Sequence, residues 1–143
     1  MKYTYLLLIF VLFACATGKN KKTTTMQNLT VEVDIIKNQM PTTDGKSNNY
    51  AIVKLHAGGD TLQENWSLSE FTLMDENKAV LHQINGDNID TSNSHKSDLG
   101  MNVNVRDLPA DIPTTVLVRV DFVSDSKDEL SFETDPIQPM VVQ

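Results

Sequence analysis

The feature that most constrains this chain is a two-residue alternation of apolar and polar side chains that returns again and again. In LTVEVDI, Leu29, Val31, Val33 and Ile35 fall on one face of an extended segment, and Thr30, Glu32 and Asp34 on the other. Successive strand side chains point to opposite faces, so this spacing predicts a strand buried on one side. It recurs in YAIVKLHA (Ala51, Val53, Leu55), LGMNVNV (Leu99, Met101, Val103, Val105) and TTVLVRVDFV (Val116, Val118, Val120, Phe122). AVLHQI reads as a further strand, as does LSFET with Leu130 and Phe132. WSLSEFTLM places Trp66 and Leu68 in one phase and Phe71 and Leu73 in the other. A slip of phase near Ser69 and Glu70 predicts a β-bulge there. No segment keeps helical spacing over the length of an ordinary helix.

Turn chemistry separates these segments. Gly58-Gly59-Asp60 supplies residues tolerant of positive φ, and Asp75-Glu76-Asn77-Lys78 reads as a turn. Asn85-Gly86 is the dipeptide preferred in two-residue hairpins, so a hairpin is expected after AVLHQI. Pro136 and Pro139 cannot donate to a ladder, which confines any strand beside them to a sheet edge.

About seven strands with regular turn signals predict an all-β sandwich, with a small closed barrel as the alternative. The order resembles an immunoglobulin-like or fibronectin-like domain across residues 29–143. Trp66 lies on the third strand, and Leu108-Pro109-Ala110-Asp111-Ile112-Pro113 stands where such domains turn a corner before the penultimate strand. The chain departs from true immunoglobulin domains in lacking paired cysteines and a tyrosine two residues before one. The resemblance implies a core-facing Trp66.

Ahead of this domain stands MKYTYLLLIFVLFACA, which contains the chain's single cysteine, Cys15. Lys2 followed by an apolar run from Leu6 to Ala14 has the form of a secretory signal peptide. The run is shorter than the about 20 residues that span a bilayer. Ala14-Cys15-Ala16 fits the small-x-small site of ordinary signal peptidase, which would discard the thiol. Leu12-Phe13-Ala14-Cys15 resembles instead the lipobox of bacterial lipoproteins, with Phe13 departing from the usual small or β-branched residue. That resemblance implies that Cys15 receives a lipid, and that a membrane is a partner through the anchor. Several acyl chains hold a protein stably where one holds it marginally. The expected organisation is a signal peptide over 1–14, a lipidated cysteine and flexible tether over 15–28, and a β-sandwich over 29–143. Lys19, Lys21 and Lys22 in the tether would lie near anionic headgroups. Ala16 is not the aspartate that retains many lipoproteins in the inner membrane, and no acidic export cluster follows. Lipoprotein sorting thus implies the outer membrane, facing the periplasm.

Charge narrows the partners. Lys2 and the three tether lysines lie upstream of the domain, which leaves eight basic residues against nineteen acidic ones, a net charge of −11. Such a domain repels nucleic acid, whose binding depends on phosphate neutralisation. A search for chemistry finds little. His56, His82 and His95 are scattered without metal-ligand spacing, and both His56 and His82 fall in outward phases. Asp87, Asn88, Asp90, Asn93 and Asp98, in the long loop 85–98, could offer oxygens to calcium, yet their spacing departs from the twelve-residue calcium loop. Asp121, Asp125, Asp128 and Glu129 surround a turn of ordinary hairpin chemistry. Asn28-Leu29-Thr30 and Asn65-Trp66-Ser67 match the N-glycosylation sequon, which carries no weight behind a leader of bacterial type. The sequence thus points to a non-catalytic module, without cofactor, that binds a protein partner or supports an envelope assembly. The alternative is a periplasmic metal-binding or enzymatic protein using loop 85–98.

Overall fold

The computed structural model describes residues 28–143 apart from 41, 45, 47, 60, 92 and 93. The signal peptide expected over 1–14, Cys15, the tether as far as residue 27 and Asn93 lie outside the described residues. Within them the chain runs β1 (Leu29–Asn38), β2 (Tyr50–Ala57), β3 (Trp66–Met74), β4 (Val80–Asn85), β5 (His95–Ser97), β6 (Gly100–Val105), β7 (Leu117–Ser124), β8 (Glu129–Glu133) and β9 (Met140–Val142). A single 3-10 turn, Gly86–Asn88, is the only helical element among them. The strands form two sheets, β5-β6-β2-β1-β9 and β4-β3-β7-β8. Leaving β9 aside, the first sheet follows the order D-E-B-A of an immunoglobulin domain and the second the order C′-C-F-G.

Among the described residues the count is nine strands rather than seven. The seven alternating segments are all present, and the additions, β5 and β9, are three-residue edge strands. Elements that short hold too few residues for periodicity to register. β9 pairs in parallel with the end of β1, from Ile36↔Met140 to Asn38↔Val142. Pro139, which has no N–H to give, immediately precedes it, so the edge placement follows from the proline.

Alternation becomes packing as the sheets close on each other. Ala51, Val53, Leu55, Phe71, Leu73, Val105, Val118 and Val120 are wholly buried, and Val31, Val33, Ile35, Met101, Val103, Val116 and Phe122 belong to the same core. Each of the larger side chains taken from water stabilises the fold by about 1.5–3 kcal/mol. The phase slip in β3 is a bulge: Leu68 pairs with Phe122, Glu70 with Asp121, and Ser69 stands between without a partner across the ladder. Its hydroxyl donates to the Asp121 carbonyl at 2.8 Å, which satisfies an acceptor at the irregularity.

Three expectations need correction. Leu99 is exposed, because it sits in the turn between β5 and β6 and not on the strand itself. Trp66 is half-buried: it packs against the core from the first position of β3, at the sandwich's end. Asn85-Gly86 does not form a two-residue hairpin; β4 runs instead into the 3-10 turn and the chain leaves the sheet.

The corner before β7 is tied by side chains. Leu108 and Ile112 turn inward and are buried. Lys37 Nζ donates to the Ile112 carbonyl at 2.6 Å. Buried Asn49 donates to the Pro109 carbonyl at 2.7 Å and accepts the Asn38 N–H at 3.0 Å.

Candidate functional site

The stretch Asn85–Asp98 carries the chain from the second sheet to the first across one open side of the sandwich. Gly86 seats it: a Cβ there would lie 3.0 Å from the backbone oxygens of both Leu68 and Ser69. Glycine serves here for close approach to β3, since its φ is not positive. Ile89 then drops into the core with 7% exposure. Beyond it the Ser94 N–H donates to the Thr91 carbonyl at 2.9 Å, and β5 joins β6 from His95↔Asn102 to Ser97↔Gly100. The expectation of one long solvated loop thus gives way to a crossing with a plug and a strand. A lone isoleucine between polar residues has no periodic partner, so nothing in the pattern marks it as core.

Between this crossing, β3 and β6 lies an open hollow of about 700 Å³. Leu68, Met101 and Val103 line it, with Ser67, Asp87, Thr91, Ser94 and Lys96 giving polar groups. The Ser94 hydroxyl is buried without a hydrogen-bond partner among the described residues. An apolar floor under a polar rim suits a ligand segment whose side chains alternate in character.

The residues singled out for metal chemistry do not converge. Asp87, Asn88 and Asp90 are exposed, and Asp98 lies in the β5–β6 turn, where its carbonyl accepts the Leu62 N–H at 2.7 Å. His56 is on the outer face of the first sheet, and His95 is at that sheet's edge. His82 lies in the second sheet opposite Leu73, and Leu73 points into the core. His82 therefore faces inward at the sandwich's margin, contrary to the outward phase expected. Its neighbour Leu81 takes the exposed side of this edge strand. Among the described residues no group of three His, Cys, Asp or Glu side chains is placed to hold a metal ion.

The ionised groups near the centre of each outer face are mutually committed. Glu70 Oε1 accepts from Arg119 at 3.2 Å and from Thr72 at 3.1 Å. Hydrogen bonding from Gln83 is the largest influence on Glu70; with Arg119 and Thr72 it outweighs burial and holds the carboxyl below the usual carboxylate range. On the first sheet Lys54 Nζ lies 2.9 Å from Asp34 and 4.0 Å from Glu32. The hydrogen bond to Asp34, then its charge, raises the Lys54 pKa. The acidic turn is hairpin chemistry as expected: the Lys127 N–H donates to the Ser124 carbonyl at 3.0 Å, the Ser124 N–H to the Asp128 carbonyl at 2.9 Å, and Lys127 adopts φ 69°. Carboxylates held by cations and hydroxyls in this way are structural partners.

No protein-family model and no curated protein matches the chain. Among solved structures it is similar to "X-ray structure of Northeast Structural Genomics Consortium target SoR45", with 13% identity and a TM-score of 0.42 over 78% of this chain and 84% of that one.

Proposed function

We propose that the chain is a small lipid-anchored protein of the cell envelope, held through Cys15 at the outer membrane on its periplasmic side. Its sandwich is a non-catalytic module that binds a protein partner. The observation that supports the binding role is the hollow beside the 85–98 crossing. The crossing beside it joins β4 to β5, each of which pairs with a strand on one side alone among the described residues. An edge strand presents unpaired backbone groups to which an extended segment of another protein can add. Val80 and Leu81, exposed at the start of β4 and away from the hollow, offer apolar contact to a segment that runs the length of that edge. The anchor rests on the leader and its single thiol. The domain's charge of −11 speaks against nucleic acid as a ligand.

Two experiments test this reading. Cys15→Ser should leave the protein unprocessed or release it from the membrane fraction, and mass spectrometry of the native protein should find an acylated Cys15. A chain starting at Thr17 without lipid would refute the anchor. A photo-crosslinking residue placed at Asp87 or Thr91 should capture a discrete protein in intact cells, whereas one at Ser131 on β8 should not. Equal capture, or none, from the two regions would remove the binding role.

A further inference from the structure

The outer face of the first sheet holds a second hollow, of about 550 Å³, at the end where β1 finishes. Asn48, Tyr50, Ile52, Asn104, Arg106 and Asp107 shape it. Strand register explains the grouping. Ile52 pairs with Asn104 and Ala51 with Val105, so Tyr50 and Arg106 follow on either side of the same seam. Ala51 and Val105 are wholly buried, which turns their chain neighbours outward. Asp107, at φ 59°, takes the chain away from the sheet. The ground beneath is fixed by Asn49, which ties the end of β1 to the 108–113 corner.

These side chains are uncommitted, unlike the cations that pair elsewhere on the domain. Lys37, Lys54, Lys78 and Arg119 each contact an oxygen acceptor. Among the described residues no hydrogen bond or ion pair engages the side chains of Asn48, Tyr50, Asn104 or Arg106. Stability of the fold does not account for placing two amides, a phenol and a guanidinium around one depression.

We propose that this hollow binds an uncharged, hydroxyl-rich ligand, a neutral saccharide. An amide side chain sets a donor beside an acceptor, which matches adjacent sugar hydroxyls, and the Arg106 fork can donate to two oxygens at once. Ile52 and the Tyr50 ring offer apolar surface to the C–H face of a sugar. Asp107 beside Arg106 offsets its charge, and the domain's −11 repels anions, so a neutral ligand is favoured over an acidic one. The volume falls among those of small-ligand sites, about 300–1,000 Å³. This site is on a different face from the protein-binding groove and does not depend on it.

Calorimetric titration of the full-length protein in detergent micelles tests the assignment. The probes are neutral hexose and N-acetylhexosamine tetrasaccharides, with a uronic-acid tetrasaccharide for comparison. Saturable binding of at least one neutral probe is expected. Arg106→Ala and Asn104→Ala should each weaken it about tenfold or more through lost hydrogen bonds, with melting unchanged. No binding at millimolar concentration, tighter binding of the uronic acid, or binding indifferent to both substitutions would overturn the proposal. So would loss of a protein crosslink, in place of saccharide binding, in Arg106→Ala. Crosslinking from Thr91 reports separately on the other face, so the two readings fail independently.

Discussion

Asn49 donates through Nδ2 to the Pro109 carbonyl at 2.7 Å and to the Ala110 carbonyl at 3.2 Å. One buried amide thus joins the loop entering β2 to the corner that precedes β7. Its backbone carbonyl also accepts the Leu108 N–H at 3.2 Å. Asn49→Leu would strand several of these groups away from water, at a cost of about 2–4 kcal/mol. The adjacent exposed position, Asn48→Leu, should change stability by less than about 0.5 kcal/mol. Chemical denaturation of the two variants makes the comparison, and equal losses would contradict it.

Gly100→Ala should destabilise by about 1–3 kcal/mol, the usual range for an atom forced into packed surroundings. A Cβ at Gly100 would collide with the Leu55 carbonyl oxygen and lie 3.0 Å from His56 Nδ1. Gly59, at φ 89° with open space around its Cβ position, would be strained by alanine through backbone conformation instead. Restoration of Gly100→Ala by a smaller residue at His56 is not expected, because the obstruction is backbone. Thermal melts of the single and double variants check this.

The alternation of polar and apolar residues carried most of the fold on its face. Ala51, Val53 and Leu55 lie inside as their spacing requires, and even the Ser69 bulge is written in the slip between Leu68 and Phe71. Periodicity reports only where a run is long enough and buried on one side. It is silent on β5, on β9 and on Ile89, each of which takes its place from the path of the chain between sheets. His82 misleads because β4 is an edge strand, where an apolar Leu81 can stay exposed while a histidine turns inward. The hollow near Arg106 was illegible for another reason. Its residues come from three separated segments, and asparagines in sequence read only as turn formers.

Trp66→Ala should cost about 2 kcal/mol, less than the about 3–5 kcal/mol expected of Phe71→Ala. Trp66 is half-buried opposite Ser124, whereas Phe71 is wholly buried on the same strand. Acrylamide should quench the native tryptophan partially, between the limits set by free indole and a sealed core. Full protection from quenching with a melting loss as large as that of Phe71→Ala would place Trp66 inside.

Glu70 makes a pH-dependent contribution whose sign follows from its depressed pKa. Folded-state bonds from Gln83, Arg119 and Thr72 favour the carboxylate, so its stabilisation is complete above the ordinary carboxylate pKa. That stabilisation is lost as pH falls through the folded-state value. Glu70→Gln should therefore melt below the native protein at neutral pH, and the two should converge in acid. A gap that stays constant from neutral to strongly acidic pH would show that Glu70 acts only by shape.

β1 is ten residues long, about 33 Å from end to end at strand rise. Leu29 begins it beside Ala57, and Asn38 ends it beside Val142. The chain enters the sandwich at Leu29, which gives the domain a near end and a far end along β1. Met101 and Lys96 put the crossing groove on the near half, while Tyr50 and Arg106 put the second hollow at the far tip. The length of one strand thus sets a reach. A partner taken at the groove and a ligand taken at the tip would meet the domain at opposite ends of that length, so that one need not displace the other.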